Sequence, residues 1–423
     1  MANTYWLGTA TAVAQVATAS IDSVDGTPAD NTFTVTIGGV TVSAVGDTDV
    51  ATTAANLLTS LNAETHPYFA AITWTNPSAG NITGTADTAG VPFVAALTET
   101  GAGTGAVTDF SDDTASSGPN DWSTAANWSE GSVPGASDDV VIADSSINIS
   151  WGLAQGTIAL TSLTVKKTYT GKIGLDYRRF ATSSDADTYN ESAIEYRETH
   201  LTIESTTVDL GEHNGQGNPT GSGRICLDLD SGTASTVTVH STANNPSETG
   251  RGAVRLLVAN ASTDIIVRSA PGGVTIAGET PGETATVRKI SVTDASTGSK
   301  VVVAPGTTLT TWYQRGGTNA IRAAATITTI TVDGGVLTLE GSYIVTTANV
   351  NDGTVIDNHI SGTNAIATLN LDGGTVDTSN SGRAQTYATV NISGTGTLKA
   401  NADDLTITTL AEPSSGKYSL TAA

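Results

Sequence analysis

The chain is nearly without sulfur: one cysteine, Cys226, and one methionine at its start, in 423 residues. A lone cysteine closes no internal disulfide, so an oxidised scaffold is ruled out. Cys226 sits in the alternation Ile225-Cys-Leu-Asp-Leu229 and reads as a buried structural thiol rather than a nucleophile. Charge is sparse at 14% of residues, and bases are sparser still, 18 Lys and Arg against 41 Asp and Glu. The first base is Lys166, while residues 1–165 hold 16 of the acids. Nothing in that third neutralises a phosphate backbone or an anionic bilayer, which disfavours nucleic acid and membrane surfaces as partners. The net charge of −23 reads first as a solubility device, with docking on a basic partner as the sharper alternative. Five scattered histidines, with no Cys pair or His-x-x-x-His spacing, give no metal centre. No cofactor is expected, and Ca²⁺ only incidentally. No basic leader or long apolar run follows Met1, so neither a signal peptide nor a transmembrane helix is expected.

What the chain has is a recurring phrase: Ile330-Thr-Val-Asp-Gly-Gly335, Ala348-Asn-Val-Asn-Asp-Gly353, Leu369-Asn-Leu-Asp-Gly-Gly374 and Val390-Asn-Ile-Ser-Gly394. Each copy alternates apolar and polar residues, then turns on residues that tolerate positive φ, the pattern of a short strand entering a tight turn. The copies start 18, 21 and 21 residues apart. That period points to a parallel β-solenoid, in which each coil stacks on the one before. Further short strands recur from Ser162 to Ile407, and about 260 residues at ~20 per coil and ~4.8 Å per layer give a body roughly 60 Å long.

The remainder divides by composition. Residues 1–20 read as an extended arm or strand, with Tyr5 and Trp6 as candidate docking side chains. Residues 21–98 read as a small α+β docking domain. Thr32-Phe-Thr-Val-Thr-Ile37 alternates strictly and Gly38-Gly39 makes a hairpin turn. Asp47, Thr48 or Asp49 then caps a helix with Val50, Ala54, Leu57, Leu58 and Leu61 on one face. Ala71-Ile-Thr-Trp74, Asn81-Ile-Thr-Gly84 and Val91-Pro-Phe-Val94 supply strands for it to pack on. The Gly/Ser/Thr-rich residues 99–119 read as a linker. Residues 120–423 form the solenoid, with Trp122 and Trp128 as a cap over its otherwise open first coil. Residues near 167–199, rich in Tyr, Arg, Asp and Glu, read as a loop excursion.

Chemistry has few places to reside. Tyr177, Arg178, Glu195, Arg197 and His200 form the most enzyme-like neighbourhood, and Trp312 with Tyr313 a second candidate platform for sugars. Each has a plain alternative: ion pairs within one loop for the first, an aromatic plug at a corner for the second. Asp228 and Asp230 share a strand face, but nothing fixes the carboxylate separation a glycosidase needs. No catalytic motif stands out.

Residues 32–96, through Phe33-Thr-Val-Thr-Ile-Gly-Gly39, Leu57-Leu-Thr-Ser-Leu-Asn62, Ile72-Thr-Trp74 and Ala86-Asp-Thr-Ala-Gly-Val-Pro-Phe93, resemble a small domain that recurs in tailed-phage virion proteins. The stretch Gly118-Pro-Asn-Asp-Trp122, Asn127-Trp128, Pro134 and Asp138-Asp-Val-Val-Ile142 resembles the entry to right-handed β-helices of phage and bacterial surface proteins. The resemblance implies a mainly β fold, a right-handed parallel β-helix preceded by an α+β domain. It also implies a non-enzymatic capsid-decoration or fibre-like part of a virion, assembled in the host cytoplasm. Its partners would be the major capsid protein or a tail component and further copies of itself, a homotrimer or other homo-oligomer. A tailspike-like polysaccharide depolymerase is the second reading, and a bacterial surface adhesin the third.

Overall fold

The computed structural model describes residues 3–411 except 26, 28–29, 176–178, 182–188, 213–222, 230–231, 243–251, 278–283, 296–297, 324, 359–363, 380, 382 and 401–403. The described residues are mainly strand with little helix, in two units with separate apolar cores.

The smaller unit holds two antiparallel sheets. One orders Ile72–Thr75, Asn81–Ala86, Val16–Ser23 and Ala106–Thr114; the other places Asn31–Ile37 between Val40–Val45 and Ala96–Gly101. The hairpin between Ile37 and Val40 turns through Gly38 and Gly39 at φ +58° and +81°, a pair of left-handed conformations that side chains resist. Helix α1, Val50–Ala63, starts where Asp49 Oδ1 accepts from the Thr52 amide at 2.8 Å. Its Ala54, Leu57 and Leu61 are buried in one core with Phe33, Val35, Ile37, Phe69 and Trp74.

Two sequence expectations fail here for one reason, that strands from distant segments need partners. The span 99–119 is no linker: Ala106–Thr114 is an edge strand held along Val16–Ser23. Of the two readings of residues 1–20 the arm fails and the strand holds, because Asn3–Tyr5 joins the larger unit and Val16–Ser23 lies inside the smaller sheet. Residues 91–94 are not strand either; Phe93 is held by the Gln15 side chain, its amide donating to Oε1 at 2.7 Å.

The larger unit is a stack of coils whose strands pair in parallel from layer to layer, apart from one antiparallel pair, Arg179–Ala181 with Tyr189–Ile194, in the excursion. A first ladder of thirteen strands begins Asn3–Tyr5, Asp139–Ile142, 162–165, 207–210 and continues through 347–350, 368–371 and 389–392 to 409–411. At ~4.8 Å per layer it is about 58 Å long. The sequence repeats fall in register within it: Ile330 pairs with Ala348, Ala348 with Leu369 and Leu369 with Val390. A second ladder runs from Lys172–Ile173 to Thr397–Lys399. A third ladder pairs 285–287 with 307–309, and runs again through 325–327, 343–345, 364–366, 385–387 and 405–407.

Alternation turns one row of each strand inward. Ile290, Trp312, Ile330, Ala348, Leu369 and Val390 stack layer on layer into one continuous core. Turns between ladders stack as well. Gly335 has φ +74°, and a Cβ there would lie 2.5 Å from the backbone of Gly316 and Gly317. Only glycine satisfies both constraints. Cys226 is buried in the strand Arg224–Leu229. Deep in the later coils, Tyr343 Oη and Tyr387 Oη both donate to Asp357, which is fully buried.

Candidate functional site at the junction of the two units

The chain enters the small unit after its first strand and returns at the cap, so the small unit is an insertion within the first coil. The two crossings run side by side. The Val13 amide donates to the Ser117 carbonyl at 2.8 Å, and the Leu7 amide to Asn127 at 2.7 Å. Asn127, itself buried, ties both crossings together. Its Nδ2 donates to the carbonyls of Gly118 and Asp121, while its Oδ1 accepts from the Ala10 amide.

Three indoles close the first coil. Trp128 meets Trp122 edge-on at 4.6 Å and Trp6 at 5.1 Å, and its Nε1 donates to the Trp122 carbonyl at 2.8 Å. All three are at most 2% exposed. Trp6 therefore offers no docking surface, contrary to the sequence expectation. It pairs with Trp128 in a β-bridge and belongs to the plug. Tyr5 remains 44% exposed beside it. Asp121 opens the cap segment; burial raises its pKa, opposed by hydrogen bonds from the Ser123 amide and the Thr124 hydroxyl.

Beside this plug lies a cleft of about 430 Å³ between the units, walled by Tyr68, Pro92 and Phe93 on one side and Trp151, Lys172 and Arg197 on the other. Its position follows from the excursion. The second ladder breaks after Ile173 and resumes at Leu201, and the next strand spans both stubs in register, Ile173 with Ile225 and Leu201 with Leu227. Residues 195–197, at the end of the detour, reach across to the small unit.

There Arg197 is held on every side. It makes a two-pronged ion pair with Glu195 (Nε to Oε1 at 2.7 Å and Nη2 to Oε2 at 3.0 Å). Its Nη1 donates to the Pro92 carbonyl at 3.0 Å, and its guanidinium lies 4.5 Å above the Trp151 ring. Tyr196 meets Tyr68 edge-on at 4.6 Å. Burial, aided by the Glu195 charge, pushes the Tyr68 phenol up to about 12. Burial likewise raises Tyr196. The arrangement clasps the small unit to the stack through one planar cation shared by a carboxylate, a carbonyl and an indole.

The sequence neighbourhood of Tyr177, Arg178, Glu195, Arg197 and His200 is thus split. Glu195 and Arg197 come together in the clasp, whereas Tyr177 and Arg178 lie outside the described residues. His200 sits at the re-entry to the second ladder, its Nδ1 3.0 Å from the Thr199 hydroxyl. Trp312 is no sugar platform: it is fully buried, with Nε1 donating to Gln314 at 3.0 Å, while Tyr313 faces outward. Counting 18 residues back from Ile330 would have placed Trp312 on the inward row. Trp151, which sequence reasoning passed over, carries no local signal; its role exists only because the excursion returns above it.

No family model, curated protein or solved structure matches this chain. Among the described residues no three His, Cys, Asp or Glu side chains gather as a metal cage, and no helix is long and apolar enough to cross a membrane.

Proposed function

We propose that the chain is a non-enzymatic structural part of a phage particle, of the capsid-decoration or fibre type. In this reading the stack is a right-handed parallel β-helix, and the small unit docks it on the major capsid protein or a tail component. The single observation that carries the reading is the continuous apolar core under in-register parallel ladders. Such a body satisfies its backbone groups within one chain, is stiff, and suits bearing load or holding a distance. The inserted small unit projects from one end, where a docking element belongs. Resemblance of residues 32–96 and 118–142 to phage virion proteins supplies the setting.

The depolymerase reading draws on the junction cleft, yet Glu195 there is committed to Arg197, and that guanidinium covers the Trp151 face. The test is particle association. Gradient-purified virions from a host carrying the encoding phage are expected to contain the chain in stoichiometric amount. A variant with residues 14–116 excised, joined where Val13 meets Ser117, should keep the stacked body by far-UV circular dichroism and fail to enter particles. The chain appearing only in the soluble lysate, or reducing ends released from host polysaccharide by purified protein, overturns the proposal.

A further inference from the structure

One broad face of the stack carries no charge. In the last six coils the third and first ladders join at a corner where two successive residues point outward, giving strands Thr307–Gln314, 325–332, 343–350, Asn364–Leu371, Gln385–Ile392 and Leu405–Ala411. None contains Asp, Glu, Lys, Arg or His, in a chain of net charge −23. Among the described residues the charges of these coils lie off these strands: in the ion pairs Arg322–Glu340 and Lys399–Asp377, at buried Asp357, and at Arg315, Asp333, Asp352, Asp372, Arg383 and Asp404 along the rims, where Asp333 meets the Tyr313 hydroxyl. One layer earlier the face ends at the exposed pair Arg288–Asp264.

Its surface is regular. Threonine holds the same outward position in six consecutive layers, from Thr311 to Thr409. Beside that row, Asn391 donates to Asn370 and Asn370 to Asn349, each at 2.8 Å, so these amides already satisfy one another in part. Ile344, the second residue of its strand and in the third of the six layers, lies between Thr326 and Ala365 and is 52% exposed. Every other exposed large apolar side chain among the described residues lies within residues 1–94.

We infer that this face is where a second copy of the chain packs. Two bodies of like net charge repel wherever charged sides approach, and burying charged groups strips them of hydration that an imperfect partner does not replace. On this face contact desolvates only hydroxyls, methyls and amides that are partly paired, and it buries the exposed Ile344 side chain. A rigid sheet also loses little conformational entropy on binding. Six layers at ~4.8 Å, by eight residues at ~3.3 Å, give about 760 Å² per copy. Two such faces bury about 1,500 Å², within the range of specific interfaces, and for so polar a contact association in the micromolar range is expected. A two-fold pairing would use the same patch on both copies. This goes beyond the particle role and stands whether or not that role does.

Sedimentation velocity of the full chain from low to high micromolar concentration tests it. The native chain is expected to associate. Ile344→Glu and Thr347→Glu, both at solvent-facing positions, should each weaken association at least tenfold with unchanged circular dichroism. Thr338→Glu, on the second ladder, should leave association as it is. Because the native thiol Cys226 is buried, a thiol introduced by Thr347→Cys can be cross-linked selectively with a short bis-maleimide. Cross-linked dimer from Thr347→Cys and none from Thr338→Cys supports the inference. A native chain that stays monomeric throughout overturns it, as does equal weakening by Thr338→Glu. Cross-linking of Thr338→Cys alone, or a polysaccharide that occupies this face on a monomer, overturns it equally.

Discussion

Replacing Trp128 by alanine should loosen one end of the stack and leave the other untouched. Trp128 is the middle indole of the plug, 1% exposed, touching Trp6 and Trp122 edge-on and bonding the Trp122 carbonyl. Truncating a buried tryptophan costs about 3–5 kcal/mol through lost transfer energy and the cavity left behind. Within that sum each edge-on pair contributes about 0.5–1.5 kcal/mol. In a stacked-repeat body each layer feels mainly its neighbours, so the loss should concentrate in the first coils. At 1.4 kcal/mol per decade, amides in 139–142 and 162–165 are expected to exchange hydrogen about a hundredfold to a few thousandfold faster. Those in 368–371 and 389–392 should keep their native rates. Trp312→Ala, between Ile290 and Ile330, provides the contrast, with its loss centred on those layers. A double-mutant cycle between Trp6 and Trp128 should show a coupling of about 1 kcal/mol. Equal loss of protection at both ends would refute the reasoning, since the body would then open as one unit. Unchanged exchange at 139–142 would show that the indoles do not hold the first coil shut.

Arg197→Ala should free the small unit. It removes the bonds to Glu195 and Pro92 and the contact with Trp151, and limited proteolysis is expected to cut sooner near residues 115–120. Arg197→Lys should fail to restore resistance, because an ammonium reproduces neither the two-pronged pairing nor the stacking. Gly335→Ala should cost at least 1–3 kcal/mol in urea unfolding, since it combines a positive φ with a collision against the turn of the layer below. Alkaline pH should also destabilise the fold. Burial raises Tyr68 to about 12 and Tyr343 and Tyr387 well above 10, so the unfolded chain loses these phenolic protons first. Their contribution is full below pH 10 and falls as pH rises from 10 through about 12 for Tyr68. Tyr68→Phe should flatten the slope of melting temperature against pH in that window.

Local chemistry made much of the fold readable. Period-2 alternation and glycine turns gave the coil register from Ile330 to Val390, because neighbouring layers repeat the same short-range pattern. The Gly38-Gly39 hairpin, a helix cap among Asp47, Thr48 and Asp49, and the burial of Cys226 were legible for the same reason: each depends on residues within a few positions, and the structure picks Asp49 as the cap. The candidate site was legible only in part. Trp122 and Trp128 stood out as paired indoles, but their third partner, Trp6, is brought in by pairing of Asn3–Tyr5 with Asp139–Ile142. Edge-strand status for 106–114 depended likewise on a partner far along the chain.

By itself, then, the sequence determined that this protein is built of short turning strands repeated at about 20 residues, with little basic charge and no disulfide. Tertiary structure decided which distant segments meet. It closed the first coil around an inserted unit and set Arg197 between Glu195, Pro92 and Trp151. It also aligned six uncharged strands into a single face. The division follows from physics. Alternation and turn propensity act over a few residues, whereas closure of a coil is chosen by the burial and backbone pairing that distant strands gain together.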